Sequence, residues 1–548
     1  MRIKKLSMML LGTLSLAALL NGCGSSSKEG AGTPADVALV SESSCAVCHS
    51  SSISLTTGSN IYQDYIASAH NLVPGAAAHY PGGVGCQGCH GGGAQHNGVG
   101  PLPYSDPSAS GKCFSCHKNY LPAAHFKSYT TNAGTRPAMY ASKNFQSDCT
   151  ACHDPHKADK GISQEHRDWA ASKHGDVNGL AWANRDFKNS VDCIRCHTST
   201  GLINYVESGY KLPTATWAQA GDFTREVATC KTCHTSYAYG ERVRPAGQYT
   251  APYTDAPTQY PNIGKSNLCI TCHTGRISGD SIKNSTSDFS KTSFKNSHYL
   301  TAGGTVFSKS GFHYEGRNYD SNISRTGAVQ NYPHDDLGVS ATGTAAADAY
   351  IAANGLSSAG PCVVCHLTSE KLGVKSTHTF DPFTEYAAGD VALNPVCVTC
   401  HGRGAGSNAK TAWFEGTWKL RADAGLDALK AQLALKGFNY TTGYPYFAAK
   451  NWGDATTGKP NMGAAFNYNL LAHDPGAVAH NRYYTRRLTY DSIDWLDDGI
   501  LNYSVFATLN ALDATIETYK ADAITFLIAD TDNVTAGVQG NGTAAERY

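Results

Sequence analysis

Cysteine and histidine are the residues with chemistry to offer. The 548-residue chain holds 19 Cys and 22 His. Eighteen of the cysteines fall into one pattern, Cys-x-x-Cys-His, repeated nine times. The copies are Cys45/Cys48/His49, Cys86/Cys89/His90, Cys113/Cys116/His117, Cys149/Cys152/His153 and Cys193/Cys196/His197, then Cys230/Cys233/His234, Cys269/Cys272/His273, Cys362/Cys365/His366 and Cys397/Cys400/His401. Chance does not produce this at these residue frequencies. Two thiols at this spacing can add to the two vinyl groups of one haem, and the histidine that follows can reach the iron as proximal ligand. A zinc site would pair Cys-x-x-Cys units without needing His at a fixed next place. A thioredoxin-like redox pair would occur once, in a βαβ setting. Nine covalently attached haem c groups are expected. Cys23 stands outside the pattern, and no cysteine is left for a disulfide.

Each iron needs a sixth ligand. Beyond the leader, Met occurs only at Met139 and Met462, so Met/His ligation is at most a minor case. Thirteen histidines lie outside the motifs, enough for nine bis-His irons. Without axial Met, low potentials spread over a range are expected. The foremost distal candidates are His70, His96, His125, His156, His174, His298, His313, His378 and His480; His79, His166, His334 and His473 rank below them. His156 follows His153 too closely to face the same iron, and so is expected to serve a neighbouring haem. His96, after the Gly91-Gly92-Gly93 run, is read the same way.

The elements that must hold these ligands are short. Residues 45–401 carry one motif per 40 residues or so, which leaves little protein between haems and puts them near contact. The expected fold is mostly irregular, with short α-helices around a closely packed nine-haem array, a helical C-terminal domain and little β. Residues 44–275 carry seven motifs, 276–360 form a Ser/Gly/Tyr-rich insert with distal candidates, and 361–404 carry two more motifs. Residues 405–548 have none and read as helical. Leu426, Leu429 and Leu433 predict a helix near 420–436, with others over 481–498 and 504–529 and a frayed tail from 530. From this domain His480 or His473 is expected to enter the array.

Arg2, Lys4 and Lys5 precede an apolar run over 6–20, too short to span a membrane. Leu20-Asn21-Gly22-Cys23 resembles the lipobox of bacterial lipoproteins. That resemblance implies a signal peptide over 1–22, lipidation of Cys23 and, with Gly24 next, the outer membrane. Residues 23–43 read as a flexible tether. The segment from His473-Asp474-Pro475-Gly476 through His480-Asn481 to Asp498-Gly499 resembles C-terminal helices of large multihaem cytochromes from dissimilatory metal-reducing bacteria. The Cys89-His90-Gly91-Gly92-Gly93 run with His96 is similar to the same group. This resemblance implies a cell-surface electron carrier. Its partners would be other c-type cytochromes, an outer-membrane porin–cytochrome complex, and extracellular metal oxides or electron shuttles.

Lys plus Arg and Asp plus Glu are both 44, a formal net charge of zero, which argues against nucleic-acid binding. An electron conduit or terminal metal reductase needs no catalytic side chains, and none is assigned. A multihaem reductase of a nitrogen or sulfur oxyanion needs an open iron. All nine motifs end in His, and the 13 further histidines can close every site. A cytochrome filament is the third reading, and a lipid anchor suits it poorly.

Overall fold

The computed structural model describes residues 38–54, 60–72, 84–96, 102–107, 110, 112–113, 126–131, 134–139, 155–157, 164–176, 187–216, 225–235, 243–320, 334–341, 345–367, 378–387, 390–393, 395–401, 410–528, 542, 544, 546 and 547. The signal-peptide and Cys23 expectations lie outside them, as do Cys116, His117, Cys149, Cys152, His153, His79 and His125 and the side chain of His166. The chain divides into two units, 1–200 with 215–243, and 201–214 with 244–548.

The first unit is built from short helices joined by irregular chain: α1 (Glu42–His49), α2 (Ile61–Ala67), α3 (Ala69–Leu72), α4 (Cys86–His90), α5 (Gln164–Ala171) and α6 (Val191–His197). Helix α7 (Ser199–Glu207) begins in this unit, and α8 (Cys230–Cys233) follows. Strands β1 (Phe126–Thr131) and β2 (Gly134–Met139) pair antiparallel, Phe126 opposite Met139, and β3 (Arg225–Glu226) joins β2 in parallel. Whole motifs occupy α1, α4 and α6. One helical turn places residues i, i+3 and i+4 on one face, so both cysteines and the histidine of such a motif share a side. Helices this short are unstable alone in water and depend on what they hold. Helix α4 stops at His90 because Gly91 turns left-handed at φ 82, where a Cβ would meet Pro103 at 2.8 Å.

In the second unit, β4 (Thr250–Ala251) and β5 (Thr258–Gln259) form a two-stranded ribbon, followed by α9 (Asn267–Ile270), α10 (Gly279–Lys283) and α11 (Ala302–Val306). Then come α12 (Ala345–Ala353), α13 (Gly360–His366), the hairpin β6 (Phe383–Ala387) and β7 (Asp390–Leu393), and α14 (Pro395–His401). Side chains replace regular ladders here: Asn267 accepts from Ile263 N at 2.9 Å and donates to Ala246 O at 3.0 Å. The C-terminal bundle comprises α15 (Leu420–Leu435), α16 (Gly458–Ala472), α17 (Ala477–Asp498), α18 (Val505–Asn510) and α19 (Lys520–Leu527). Leu429 and Leu433, one turn apart on α15, are fully buried with Leu426 packed beside them. The first part of the insert, up to Tyr319, belongs with this bundle, whereas Leu337, Ile351 and Leu356 pack with Val364 and Val396 of α13 and α14. Phe312 rests against Gly463 of α16, and Asn467 accepts from Phe312 N at 2.7 Å and donates to Phe312 O at 3.0 Å.

The bundle corrects three expectations. Helix α16 was not foreseen, because residues 462–471 are buried without a break, small and polar residues such as Gly463 and Asn467 mixed with Met462, Phe466 and Leu470, so no one-sided stripe marks it. The 504–529 helix is two helices. Asp513 Oδ1 accepts from Thr515 N and Oγ1 at 2.9 and 2.7 Å, a local turn that competes with the helix, and Ile516 is left 73% exposed rather than beside Leu509. Of the tail, Glu546 and Arg547 are docked rather than frayed, while 529–541 lie outside the described residues. Arg547 makes two contacts to Asp491 at 2.6 and 2.7 Å, and Glu546 is buried.

Arg317 adds a second cation to that pocket, 2.6 Å from Asp494, with all three side chains buried. Removing one partner of a buried pair leaves an uncompensated charge, which costs about 3–5 kcal/mol. Arg317→Met is expected to lower the unfolding free energy of the bundle by that order, measured by guanidinium denaturation followed by far-UV circular dichroism.

Candidate functional site

Nine copies of one pattern read as equivalent in sequence, and the structure does not make them so. Five described motifs lie wholly within a helix, at α1, α4, α6, α13 and α14. In α6, Cys193 Sγ accepts from Ser190 Oγ at 3.1 Å, and Cys196 follows one turn later, half-buried. Two motifs depart from this form. In the sixth, α8 ends at Cys233, and His234 leaves the helix with extended backbone, φ −109 and ψ 139. His234 N still donates to Cys230 O at 2.8 Å, while the residue bridges to Val243 in the manner of a strand. In the seventh, α9 ends at Ile270, ahead of Cys272 and His273. Cys272 N and His273 N share the Cys269 carbonyl at 3.2 and 3.1 Å, so this motif closes as a turn. The thiols also differ in exposure. Cys48 of the first motif and Cys400 of the ninth are exposed, whereas Cys45, Cys89, Cys113, Cys272 and Cys397 are half-buried. Attachment points at the first and ninth motifs therefore reach the surface of their units. None of the described motif cysteines forms a disulfide.

Several proximal imidazoles have a defined outer contact. His90 Nδ1 donates to Tyr104 O at 3.1 Å, His273 Nδ1 to Leu300 O at 3.1 Å and His366 Nδ1 to Phe380 O at 2.9 Å. A carbonyl only accepts, so these rings carry the proton on Nδ1 and offer Nε2 as a bare donor atom. His49 Nδ1 lies 3.2 Å from Ser52 Oγ.

Opposite four motif histidines stands a second imidazole. Ring centres are 6.2 Å apart for His49 and His96, and 6.2 Å for His90 and His156, both pairs in the first unit. In the second unit they are 6.4 Å apart for His366 and His480, and 6.0 Å for His401 and His334. Two metal–imidazole bonds of about 2 Å, each running into a ring centred about 1 Å behind its nitrogen, put trans imidazoles about 6 Å apart. The spacing therefore fits one six-coordinate iron between each pair. The planes lie at 19° and 9° in the first two pairs and at 41° and 89° in the others.

Neighbouring motifs also approach each other within each unit. In the first, Cys45 Sγ, Cys86 Sγ and a carboxylate oxygen of Glu42 lie within 4.8 Å of one another. Glu42 caps α4 by accepting from Cys86 N at 2.9 Å. In the second, the Cys362 and Cys269 thiols share a hydrogen bond. Cys365 of α13 and Cys397 of α14 pack on the same small core as Val364 and Val396.

Two histidines stand where the sequence ranked them differently. His334, set among the spares, faces His401 and donates Nδ1–H to Ala479 O at 2.7 Å; burial pushes its pKa down to about 4. His313, ranked as a ligand, stands elsewhere. Its Nε2 is 2.7 Å from the Tyr484 hydroxyl and its ring stacks on Tyr319 at 4.3 Å. A histidine inside an aromatic packing site and one beside a metal look alike in sequence; only the chain path separates them. His480 has a carboxylate contact, Asp474 at 2.8 and 3.0 Å from Nδ1. Burial works against a charge on His480, and Asp474 more than offsets it, so its pKa is raised. Asp474 was missed as a site residue, although it sits in the His473-Asp474-Pro475-Gly476 step that the sequence singles out.

The other candidates have different surroundings. His70 Nδ1 donates to Pro155 O at 2.8 Å, next to His156. His174 follows buried Ser172 beyond α5, and His298 sits at a left-handed φ of 81 beside Tyr299. His378 lies edge-on to Phe380 at 6.1 Å. His473 Nδ1 donates to Asn469 O at 2.8 Å, with Tyr299 and Tyr446 packed on the ring at 4.7 and 4.8 Å. His197 stacks on Phe187 at 4.0 Å.

Single-turn Cys-x-x-Cys-His units and paired imidazoles define a multihaem c-type cytochrome. A cytochrome c3 family model matches residues 78–168, the stretch that carries the second to fourth motifs. The chain is related over most of its length to two named cytochromes. It is 27% identical to the C-type polyheme cytochrome OmcB of Geobacter sulfurreducens, from strains DL-1/KN400 and ATCC 51573/DSM 12127/PCA, over 93% of this chain and 96% of the relative. The same identity and coverage hold for the C-type polyheme cytochrome OmcC of the latter strain. These alignments run over 753 and 777 positions, so the relatives contain long segments that this chain lacks. No solved structure matches.

Because burial holds the His313 pKa down to about 4, the folded protein keeps it neutral. A depressed native pKa against an unfolded value near 6.5 contributes stability that is present above about pH 6.5 and lost as pH falls through about 4. His313→Gln, whose amide oxygen can still accept the Tyr484 hydroxyl, is expected to flatten the loss of bundle stability over that window. Denaturation midpoints of both proteins at stepped pH check it.

Proposed function

We propose that the chain is a nine-haem electron carrier of the outer membrane, passing electrons to extracellular acceptors such as metal oxides. Bound haem would supply a one-electron iron couple at each motif. The paired imidazoles carry this reading: in four pairs a second ring lies about 6 Å from the motif ring, a separation that would allow protein nitrogen on both sides of an iron. A site closed on both sides binds no substrate at the metal, which suits electron transfer through the haem edge and not reduction of a small oxyanion.

In this reading His96, His156, His480 and His334 are the distal ligands opposite His49, His90, His366 and His401. The five remaining motif histidines draw on His70, His125, His174, His298 and His378. His96 follows the second motif and faces the first, and His156 follows the fourth and faces the second. Each such crossing ties two haems together, so assembly of one site positions the next. The thiol contacts between motifs one and two, and between seven and eight, support short edge-to-edge steps within each unit.

The N-terminal lipobox supports anchoring through Cys23. Likeness to OmcB and OmcC, together with the multihaem sequence resemblance, supports placement at the outer membrane with other c-type cytochromes as electron donors. Oxidised metal compounds or shuttles are then the acceptors.

Haem quantification of the purified protein should return nine per chain, and the oxidised protein should give only low-spin electron paramagnetic resonance signals. A stoichiometric high-spin haem would overturn the closed-site reading. His334→Ala is expected to convert one haem in nine to high spin, while His313→Ala converts none; the reverse result would exchange the two residues. Stopped-flow mixing of reduced protein with ferric citrate should reoxidise the haems, whereas nitrite and hydroxylamine should not be turned over.

A further inference from the structure

Every described imidazole that faces a partner ring or belongs to a motif, and whose Nδ1 contact is to the backbone, has a neutral carbonyl there. This holds for His90, His273, His366 and His334. His480 differs, with both carboxylate oxygens of Asp474 at 2.8 and 3.0 Å from its Nδ1. Asp474 is 3% exposed, and its orientation is fixed: Oδ1 also accepts from Gly476 N at 3.2 Å, and Ala477 N donates to its carbonyl at 2.9 Å. Gly476 makes room for the ring, since a Cβ there would meet His480 Cε1 at 2.8 Å. The loop between α16 and α17 is thus a cradle that presses a buried carboxylate onto the His480 imidazole.

We propose that Asp474 is a positioning and tuning residue that makes the eighth-motif haem the low-potential centre among the three of the second unit. The inference rests on the ligation of that haem by His366 and His480. A carboxylate that takes most of the Nδ1 proton gives the ring imidazolate character and makes Nε2 a stronger donor. Added negative charge beside the metal stabilises the ferric over the ferrous state, one of the levers a protein has on a haem potential. The consequence is spatial. The Cys362 thiol contacts Cys269 of the seventh motif, and Cys365 packs with Cys397 of the ninth. A low-potential centre between two higher ones holds an electron for the shortest time, so under partial reduction charge resides on the seventh and ninth haems.

Asp474→Asn keeps an acceptor for the Nδ1 proton and removes only the charge; Asp474→Glu keeps the charge. In spectroelectrochemical titration of the full holoprotein, the Asn variant should raise one midpoint potential of nine, with haem count and low-spin state unchanged, and the Glu variant should leave that centre low. The wild-type protein gives an independent readout. In near-infrared magnetic circular dichroism, one low-spin ferric centre should show the higher-energy band of an imidazole–imidazolate pair. Unchanged potentials in the Asn variant with nine low-spin haems, or nine equivalent near-infrared bands in the wild type, would overturn the tuning role and leave the ligation intact. A His480→Ala protein with nine low-spin haems would overturn the ligation itself.

Discussion

Four pairs of imidazoles, each bringing a ring from a distant segment to about 6 Å from a motif histidine, are the constraint to which the rest of this molecule answers. One ring of each pair is fixed locally, by a turn of helix whose two cysteines and histidine share a face. The other ring arrives from a remote segment. Because the second ring is remote, each pair closes a long loop, and binding of a metal group there would offset the entropy of that closure. A chain rich in glycine with few regular elements can fold under these conditions, since its packing need not be supplied by helices and strands alone.

The C-terminal bundle shows how such a delivery is made. Helix α17 is broken at Asn481, which is extended at φ −161 and ψ 95. Its side chain donates to Val306 O at 3.1 Å and accepts from Tyr484 N at 3.0 Å, so it restarts the helix as a cap would. The break serves two sites at once. Ala479 O, just before it, orients His334 toward His401, and the next residue, His480, faces His366. The bundle is therefore the rigid body that positions one of these imidazoles directly and a second through a backbone carbonyl. Its own rigidity comes from the buried leucines and aromatics of α15 to α19 and from the Arg317, Arg547, Asp491 and Asp494 cluster.

Outer contacts to the imidazoles divide into neutral and charged. A backbone carbonyl fixes ring orientation with little effect on charge, and a short irregular chain offers many of them. A buried carboxylate is costly to place, and at His480 it stands in a loop whose backbone donors hold it.

How far the sequence reached can be seen residue by residue. Repetition of Cys-x-x-Cys-His announced the haem chemistry, because covalent attachment needs those atoms within one turn, and local spacing is what a sequence records. It did not announce that His234 would leave its helix or that Cys272 would sit in a turn beyond one, because each depends on the chain packed alongside. The 3.6-residue period of Leu426, Leu429 and Leu433 likewise announced α15. Helix α16 escaped because it is buried on every side and so shows no one-sided stripe, and the split of 504–529 escaped because Asp513 makes a turn where periodicity alone would continue a helix. The ranking of His313 above His334 turned on the same limit. Thirteen histidines of equal chemistry lie outside the motifs, and which of them comes within reach of an iron depends on contacts across tens to hundreds of residues. Composition and spacing determined that this protein holds haem through its cysteines. Tertiary structure alone decided which imidazoles meet, because those are distances between segments that the order of residues does not encode locally.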